Sequence, residues 1–209
     1  MKDVLVVGAS GLAKEVLTWC VGAFNVVGYT TPSNSTDNQF GLPGLSFTDD
    51  DVTPDVAGTE HVIFAIGSPK IRKKLHMIYQ KKGFKFPNLI HPSSVVSTSA
   101  RLGEGVVIAP NCVVSADVKI GNLSTILANS TINHDSVLEE FAIVCSNVAV
   151  SGAVKVGKSC YLGAGSSIRQ NVTIGERSLL GIGSVVLNNV MPDSVCKGNP
   201  AVFLRANCV

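Results

Sequence analysis

The chain has 209 residues, a formal net charge of +2, 45% hydrophobic residues and 15% charged residues. This near-neutral balance gives no reason to expect nucleic acid or an anionic membrane as a partner, and no apolar run is long enough to span a bilayer. Six cysteines show no CxxC spacing and no clustering with histidine. We therefore expect reduced thiols in a cytoplasmic protein, no metal site and, because no h-region precedes a cleavage site, no signal peptide.

Residues 1–88 alternate between apolar strands and amphipathic helices. The stretch "DVLVVGASGLAKEVLTWC" predicts a strand, a glycine turn and a helix with Val16, Leu17 and Cys20 on one face; "FNVVGYT" predicts a second strand. The stretch "EHVIFAIGSPKIRKKLHMIYQKKG" predicts a third strand, a turn and a second helix. This alternation is typical of a small parallel α/β domain of half-Rossmann type.

The second helix and the loop before the third strand carry more specific expectations. Ile71, Leu75 and Ile78 form the predicted apolar stripe, and Arg72 lies with the neighbouring lysines on the face that we expect to be solvated. Residues 30–44 are polar and rich in glycine and proline, which indicates a loop.

Residues 89–209 are dominated by a six-residue repeat. From Val96 to Val186, sixteen consecutive positions spaced six apart are Ile, Leu or Val, and the position four residues after each is small or Val. Such a unit is one short strand and a turn, and three units close a triangular coil of about 18 residues whose inward side chains stack about 4.8 Å apart. The repeat predicts a solenoid of about five coils, followed by a C-terminal tail.

The segment "ANSTINHDSV", residues 128–137, places one histidine in the middle of this solenoid. His134 follows the inward-facing Ile132 by two residues, so we expect it near an outer edge. An imidazole can serve as a general base near neutral pH, but a surface histidine without a catalytic role fits the same pattern. Asp135 follows directly, yet consecutive side chains on a strand point apart, so a contact between the two stays open. Cys145 has no second histidine to activate it as a nucleophile.

The order of these parts resembles the hexapeptide-repeat sugar acyltransferases of the sialic acid O-acetyltransferase and bacillosamine N-acetyltransferase type. The resemblance covers essentially the whole chain and is carried by "VVGASGLAKEV", "AIGSPKIRKKL", "NLIHPSS", "INHDSVLEEF", "SGAVKVGKSCYLGAGSSI" and "KGNPA". It implies that the solenoid is a left-handed parallel β-helix, an exception to the right-handed crossover rule. It also implies a homotrimer that uses acetyl-CoA and a nucleotide-linked sugar.

The resemblance further implies roles for residues of the β-helix. His134 aligns with the catalytic histidine of the family and Asp135 with an acidic residue that raises its basicity, while Asn133 is a candidate substrate contact. CoA is expected between two subunits, and the candidate cofactor-binding residues are Ile143, Gly152, Ala164, Ile182 and Lys197. Among these, Ile143 stands where relatives of the bacillosamine type carry a second histidine that bonds the acetyl carbonyl.

The implied acceptor site lies in the N-terminal domain, around the turn "GASG". Backbone amides at such a turn can bind a phosphate or a sugar hydroxyl, but Lys14 interrupts a GxGxxG pattern, which argues against a redox dinucleotide. The candidate substrate-binding residues here are Gly8, Ser10, Gly11, Leu12, Ala13, Thr30, Thr31 and Ser68. Of these, Thr30 and Thr31 replace paired aspartates that usually contact the nucleoside in relatives.

The expected function is N-acetylation of the amino group of a nucleotide-linked amino-deoxysugar in surface-glycan biosynthesis, by direct transfer with His134 as general base. O-acetylation of a sialic-acid-like sugar is the alternative within the enzymes. A non-catalytic hexapeptide protein that binds a ligand is the alternative of a different class. Thr30, Thr31 and Ile143 favour this last reading, and the pair His134 and Asp135 opposes it.

Overall fold

A computed structural model describes residues 1–32, 41 and 45–207 of the chain. By its internal contacts the chain divides into two compact units, Met1–Leu89 and Ile90–Val209. No helix within the described ranges is both long and apolar enough to cross a bilayer.

The first unit is a parallel sheet with helices in its connections. Its elements are β1 (Lys2–Val7), α1 (Gly11–Cys20), β2 (Phe24–Thr31), β3 (Leu45–Thr48), α2 (Pro54–Ala57), β4 (Val62–Phe64) and α3 (Pro69–Lys81). The strands pair in parallel in the order β3-β2-β1-β4. All carboxyl ends therefore lie at one edge, and the strand order reverses between β1 and β4, where open α/β sheets bind ligands. The predicted half-Rossmann architecture is confirmed.

Two elements of this unit escape the sequence prediction. Strand β3 has only four residues, of which Leu45 and Ser46 are exposed, so it shows no clear alternation. Helix α2 is a single turn that begins after Thr53, whose hydroxyl accepts a hydrogen bond from the Val56 N–H. The expected loop 30–44 starts later than predicted because Thr30 and Thr31 complete β2, and most of it (residues 33–40 and 42–44) lies outside the described residues.

Helix α3 buries a face that differs in part from the predicted one: Leu75 is buried as expected and Ile78 is half-buried. Arg72, Leu75 and Tyr79 are buried, whereas Ile71 is 51% exposed. The guanidinium of Arg72 donates to the Ile66 carbonyl through Nε at 3.1 Å and through Nη2, and burial lowers the pKa of Arg72 to about 9. The side chain of Arg72 therefore binds the turn between β4 and α3 and does not lie on a solvated face. Apolar periodicity does not reveal this position, because a charged residue interrupts the apolar pattern and is assigned to the solvated face.

The second unit is a prism of very short strands joined by turns. Its strands are β5 (Leu89–Ile90), β6 (Val95–Val96), β7 (Arg101–Leu102), β8 (Val107–Ile108), β9 (Val113–Val114), β10 (Lys119–Ile120), β11 (Thr125–Ile126), β12 (Thr131–Ile132), β13 (Val137–Leu138), β14 (Ile143–Val144), β15 (Ala149–Val150), β16 (Lys155–Val156), β17 (Tyr161–Leu162), β18 (Ser167–Ile168), β19 (Thr173–Ile174), β20 (Leu179–Leu180), β21 (Val185–Val186), β22 (Ser194–Lys197) and β23 (Val202–Ala206).

These strands form the three faces of the prism. The five-stranded sheet has the order β19-β16-β13-β10-β7, the six-stranded sheet β21-β18-β15-β12-β9-β6, and the eight-stranded sheet β23-β22-β20-β17-β14-β11-β8-β5. Ile132 pairs in parallel with Val150 of the next coil, 18 residues later, as the hexads predict. In the expected C-terminal tail, β22 pairs in parallel with β20 and β23 turns back antiparallel to β22.

The core of the prism is the predicted aliphatic ladder. Every sixth residue from Ile108 to Val186 is at most 2% exposed. The small residues near the turns are also buried, and several are serines that bridge two coils: Ser130 Oγ donates to the Cys145 carbonyl at 2.8 Å and accepts from the Val148 N–H at 3.1 Å. A small side chain at this position therefore satisfies backbone groups of the next coil, where a larger one would not fit.

Candidate active site

His134 lies in the turn that joins β12 of the six-stranded sheet to β13 of the five-stranded sheet. Equivalent turns recur every 18 residues, so Ala116, His134, Gly152 and Gln170 stack along one edge of the prism, which we call the histidine corner. The neighbouring Ile132 is fully buried in the core, whereas the side chain of His134 is 55% exposed. The imidazole is therefore open to a substrate from outside the prism.

Asp135 contacts His134 within one chain. His134 Nδ1 and Asp135 Oδ2 are 2.8 Å apart. The expectation that consecutive side chains point apart does not apply, because both residues lie in the turn and Asp135 has a φ of 60°, the left-handed conformation that aspartate and asparagine tolerate best. The turn therefore brings together two side chains that an extended strand would separate.

This contact determines which imidazole nitrogen is free. An ionised carboxylate only accepts hydrogen bonds, so Nδ1 must be the donor to Asp135. In the neutral ring the other nitrogen, Nε2, then carries a lone pair and no proton. His134 is thereby oriented to take a proton at Nε2.

Gly152 lies against the imidazole in the next coil. A Cβ placed on Gly152 would be 2.6 Å from both Cε1 and Nε2 of His134, closer than real Cβ contacts allow. The coils are joined here by the Ala153 N–H, which donates to the His134 carbonyl at 2.8 Å. Within the part of the chain that the structure describes, the Gly152 N–H donates no hydrogen bond.

The other candidate cofactor residues lie at a different edge of the prism. Ala164 and Ile182 occupy equivalent turns between the eight-stranded and six-stranded sheets, and Ile182 is 84% exposed. Lys197 is exposed. Its Cβ lies next to Gly181, since a Cβ added to that glycine would be 2.8 Å from Lys197 Cβ. One chain therefore presents His134 and these three residues at opposite edges of the six-stranded sheet.

Two further candidates in the β-helix are less accessible. Ile143 is 2% exposed and its N–H donates to the Cys160 carbonyl, so neither its side chain nor its amide is free to hold an acetyl group, contrary to the expected cofactor contact. Asn133 is half-buried, and its N–H donates to the Val150 carbonyl. The Asn133 N–H is therefore not available to a substrate.

The "GASG" turn of the first unit is at the carboxyl edge of the sheet, as expected. Gly8 has a φ of 119°, and a Cβ there would lie 2.9 Å from the Ala65 carbonyl oxygen; only glycine fits between β1 and the end of β4. Ser10 is the exposed N-cap of α1, and Gly11 is the exposed first residue of that helix. Leu12 is half-buried and Ala13 is buried.

Thr30 and Thr31 lie at the same edge, but their side chains are used inside the unit. Thr30 is fully buried; its hydroxyl accepts from the Gly8 N–H at 3.3 Å and donates to Asp49 Oδ1 at 2.7 Å. Thr31 is 4% exposed, and its hydroxyl is 3.4 Å from the Phe47 carbonyl. Both hydroxyls are therefore turned into the unit, contrary to the expected ligand contact.

The Ser68 hydroxyl also has a structural partner. It caps helix α3 by accepting from the Ile71 N–H at 3.4 Å.

Asp49 is a residue of this edge that the sequence prediction missed. It follows β3 and its carboxylate accepts hydrogen bonds from the Thr30 and Tyr79 hydroxyls. The available signal was an acidic residue after a short strand, which is visible only once β3 is recognised.

The five cysteines in the described part of the chain are all buried. Cys145 is buried, and burial raises the pKa of its thiol, which disfavours the reactive thiolate. Within residues 1–32, 41 and 45–207, no three histidine, cysteine, aspartate or glutamate side chains group as a metal site.

Family models match most of the first unit and part of the second. Residues 3–79 match the family described as "PglD N-terminal domain", and residues 99–134 match "Bacterial transferase hexapeptide (six repeats)". A comparison with curated proteins finds no match.

Solved structures resemble the chain over nearly its whole length. PerB from Caulobacter crescentus, solved with CoA and GDP-perosamine and described as a perosamine N-acetyltransferase, is 31% identical, with a TM-score of 0.85 and 98% of each chain covered. The acetyltransferase domain of PglB from Neisseria gonorrhoeae, solved with acetyl coenzyme A, is 27% identical, with a TM-score of 0.84 and coverage of 97% of this chain and 99% of that one. WeeI from Acinetobacter baumannii, at 23% identity, a TM-score of 0.82 and coverage of 98% and 100%, shares the fold.

The prism, the preceding parallel α/β unit and the near-complete coverage at 31% identity lead to one assignment. The chain belongs to the hexapeptide-repeat family of sugar acyltransferases, and its solenoid is the left-handed parallel β-helix of that family.

Proposed function

We propose that the protein transfers the acetyl group of acetyl-CoA to the amino group of a nucleotide-linked amino-deoxysugar, with His134 as general base. The observation that carries this proposal is the 2.8 Å contact between His134 Nδ1 and Asp135, which leaves Nε2 as the free, exposed nitrogen. The likeness to an enzyme solved with CoA and GDP-perosamine supports the class of both substrates.

The proposed reaction is a direct transfer without an acyl-enzyme. The lone pair of the acceptor amine attacks the thioester carbonyl, a C–N bond forms, and the amine proton passes to Nε2 of His134. The carbonyl electrons return as the C–S bond breaks and CoA leaves as the thiolate, which can regain a proton from His134. The Gly152 N–H, which faces no partner among the described residues, is the proposed donor to the transient oxyanion.

The position of the candidate cofactor residues supports a site shared between subunits. Because Ala164, Ile182 and Lys197 lie at the far edge of the six-stranded sheet from His134, one CoA molecule meets both groups most simply when a second copy brings its Ala164 edge to the histidine corner. We therefore propose a homotrimer with one site at each subunit boundary. The proposed setting is surface-glycan biosynthesis in the cytoplasm, where acetyl-CoA is available.

O-acetylation of a sialic-acid-like sugar is the second candidate. A hydroxyl is a weaker nucleophile than a free amine and depends more on a base, and the exposed Nε2 of His134 suits this reaction as well. A non-catalytic hexapeptide scaffold is the third, and the buried Ile143 is consistent with it.

The test is thiol release from acetyl-CoA with a panel of UDP-, GDP-, dTDP- and CMP-linked amino sugars and free sialic acids. We expect release with an amino sugar and a fall of about 10²- to 10⁴-fold in kcat for His134→Ala. His91→Ala is the matched control, because His91 lies in the same unit and, among the described residues, its ring forms hydrogen bonds only with Ser93; it should retain full activity.

The other results of the thiol-release assay would favour an alternative function or a different base. Release with sialic acid alone would select O-acetylation. Release that survives His134→Ala would exclude His134 as the base. No release with any acceptor, while acetyl-CoA still binds, would favour the scaffold.

A further inference from the structure

Asp49 is held in a fixed orientation at the carboxyl edge of the first sheet. It lies one residue beyond β3, and its N–H donates to the Thr31 carbonyl at 3.0 Å, which aligns it with the end of β2. Its Oδ1 accepts from the Thr30 hydroxyl and from the Tyr79 hydroxyl, each at 2.7 Å. Both donors are fully buried, so the carboxylate is oriented from inside the unit.

The backbone that carries Asp49 is also fixed. Lys82 Nζ donates to the carbonyls of Asp49 (2.8 Å), Asp50 (2.7 Å) and Val52 (2.9 Å). Burial and the nearby charge of Asp49 raise the pKa of the Tyr79 phenol well above its usual range, so Tyr79 remains a donor near neutral pH. A carboxylate held this way loses little conformational freedom when a ligand binds.

The same network joins Asp49 to the "GASG" turn. The Gly8 N–H donates to Thr30 Oγ1 at 3.3 Å, and Thr30 in turn donates to Asp49. Asp49 is thus two hydrogen bonds away from the first amide of the turn at which α1 begins. Its second oxygen, Oδ2, has no hydrogen-bond partner in the described part of the chain.

This arrangement suits a ribose. Where a diphosphate lies at the first helix of a nucleotide-binding α/β sheet, an acidic residue near the end of the second strand accepts a hydrogen bond from the ribose 2′-hydroxyl. Here β2 ends in Thr30 and Thr31, whose hydroxyls are buried, and the acidic group comes from the adjacent strand β3.

We propose that Asp49 Oδ2 accepts a hydrogen bond from the ribose 2′-hydroxyl of the acceptor's nucleotide, so that the acceptor is linked to a ribonucleotide and not to a 2′-deoxyribonucleotide. This inference rests on the proposed function for the acceptor being a nucleotide-linked sugar. It adds that Asp49 contacts the nucleotide and that this contact selects ribose over 2′-deoxyribose.

The experiment is calorimetric titration of the full chain with UDP, GDP and CDP and with the 2′-deoxy form of each. Hydrogen bonds to charged groups are strong enough that wild type should bind at least one ribonucleotide about tenfold or more tightly than its 2′-deoxy form. Asp49→Asn and Asp49→Ala should lose most of this preference. Asp50→Asn, one residue away and exposed, is the matched control and should keep it.

Stability and ligand selection are separated by the choice of variants. Asp49→Asn retains an oxygen for Thr30 and Tyr79, so it should fold, and the ratio of the two affinities does not depend on the fraction folded. The inference is overturned if wild type binds ribo- and 2′-deoxyribonucleotides alike, if Asp49→Asn keeps the full preference, or if no nucleoside diphosphate binds.

Thiol-release assays on the same proteins separate this inference from the proposed function. A ribose preference that depends on Asp49, without acetyl transfer to any sugar, would refute the proposed function and support the role of Asp49. Acetyl transfer to a nucleotide sugar without a ribose preference would support the proposed function and refute the role of Asp49.

Discussion

Gly152 lies so close to the imidazole of His134 that no side chain fits between them: a Cβ on Gly152 would be 2.6 Å from Nε2 and from Cε1. This glycine does not have a positive φ, so its role here is to leave space for the ring and not to permit an unusual backbone conformation. The position of the imidazole therefore depends on the residue one coil later.

Gly152→Ala should lower kcat by about 10²-fold, because the methyl group displaces Nε2 from the reacting proton. Thiol release with saturating acetyl-CoA measures it. Gly157→Ala is the control, since its Cβ would also press on a neighbouring coil, 2.6 Å from the Glu176 amide, but away from the imidazole. Equal losses of kcat in two folded variants would show that general damage to the coils, and not the imidazole position, is responsible.

Asp135→Asn should reduce kcat about tenfold by weakening the orientation and favoured tautomer of His134. The effect should be smaller than in a buried triad, because the side chains of His134 and Asp135 are 55% and 62% exposed and water screens their interaction. Asp117→Asn is a close control: Asp117 occupies the equivalent turn one coil earlier, with a φ of 58°, next to Ala116 instead of a histidine. An unchanged rate in Asp135→Asn would show that Asp135 does not orient His134 for the reaction.

Ile132→Ala should destabilise the protein by about 2–5 kcal/mol, the usual cost of truncating a fully buried aliphatic side chain. Ile132 is 0% exposed and pairs with Val114 and Val150 of the adjacent coils. Urea unfolding followed by circular dichroism measures the change. Thr131→Ala, on the outward side of the same strand, should cost much less; a similar cost for both would contradict the assignment of inner and outer positions.

The buried thiols predict that stability falls at high pH. Burial raises the pKa of Cys20 and of Cys160 to about 12, from the ordinary thiol value of 9.0. Between these values the unfolded chain loses the thiol protons that the folded chain keeps, so the free energy of unfolding contributed by these groups is intact below pH 9 and decreases as the pH rises toward 12.

Urea midpoints at pH 8 and pH 10.5 test this prediction. Other groups titrate in the same range, so the informative quantity is the difference between wild type and Cys20→Ala/Cys160→Ala. The double variant should lose less stability over this interval. An equal or larger loss in the variant would contradict the assigned shifts.

Much of the β-helix could be predicted because its information is local and repeated. Every sixth residue from Ile108 to Val186 faces the core, and one such unit determines the position of the next. The α/β unit shows the opposite behaviour in part: Arg72 is buried although it is charged, and β3 is too short to show a pattern. The burial of Arg72 depends on its hydrogen bond to the Ile66 carbonyl, and β3 is positioned by its pairing with β2. Apolar periodicity reveals neither contact.

The pattern of residues along the chain is enough to specify the two-part architecture, the hexad prism, the location of His134 at its surface and the resemblance that points to sugar acyl transfer. How these residues meet depends on the folded chain. The left-handed turn at Asp135 brings its carboxylate to Nδ1, the 18-residue coil places Gly152 against the ring, and strand β3 carries Asp49 to Thr30 and Tyr79. Side-chain periodicity specifies which face of an element is buried, but contacts between side chains depend on turn dihedrals and on the pairing of strands that lie far apart in the sequence.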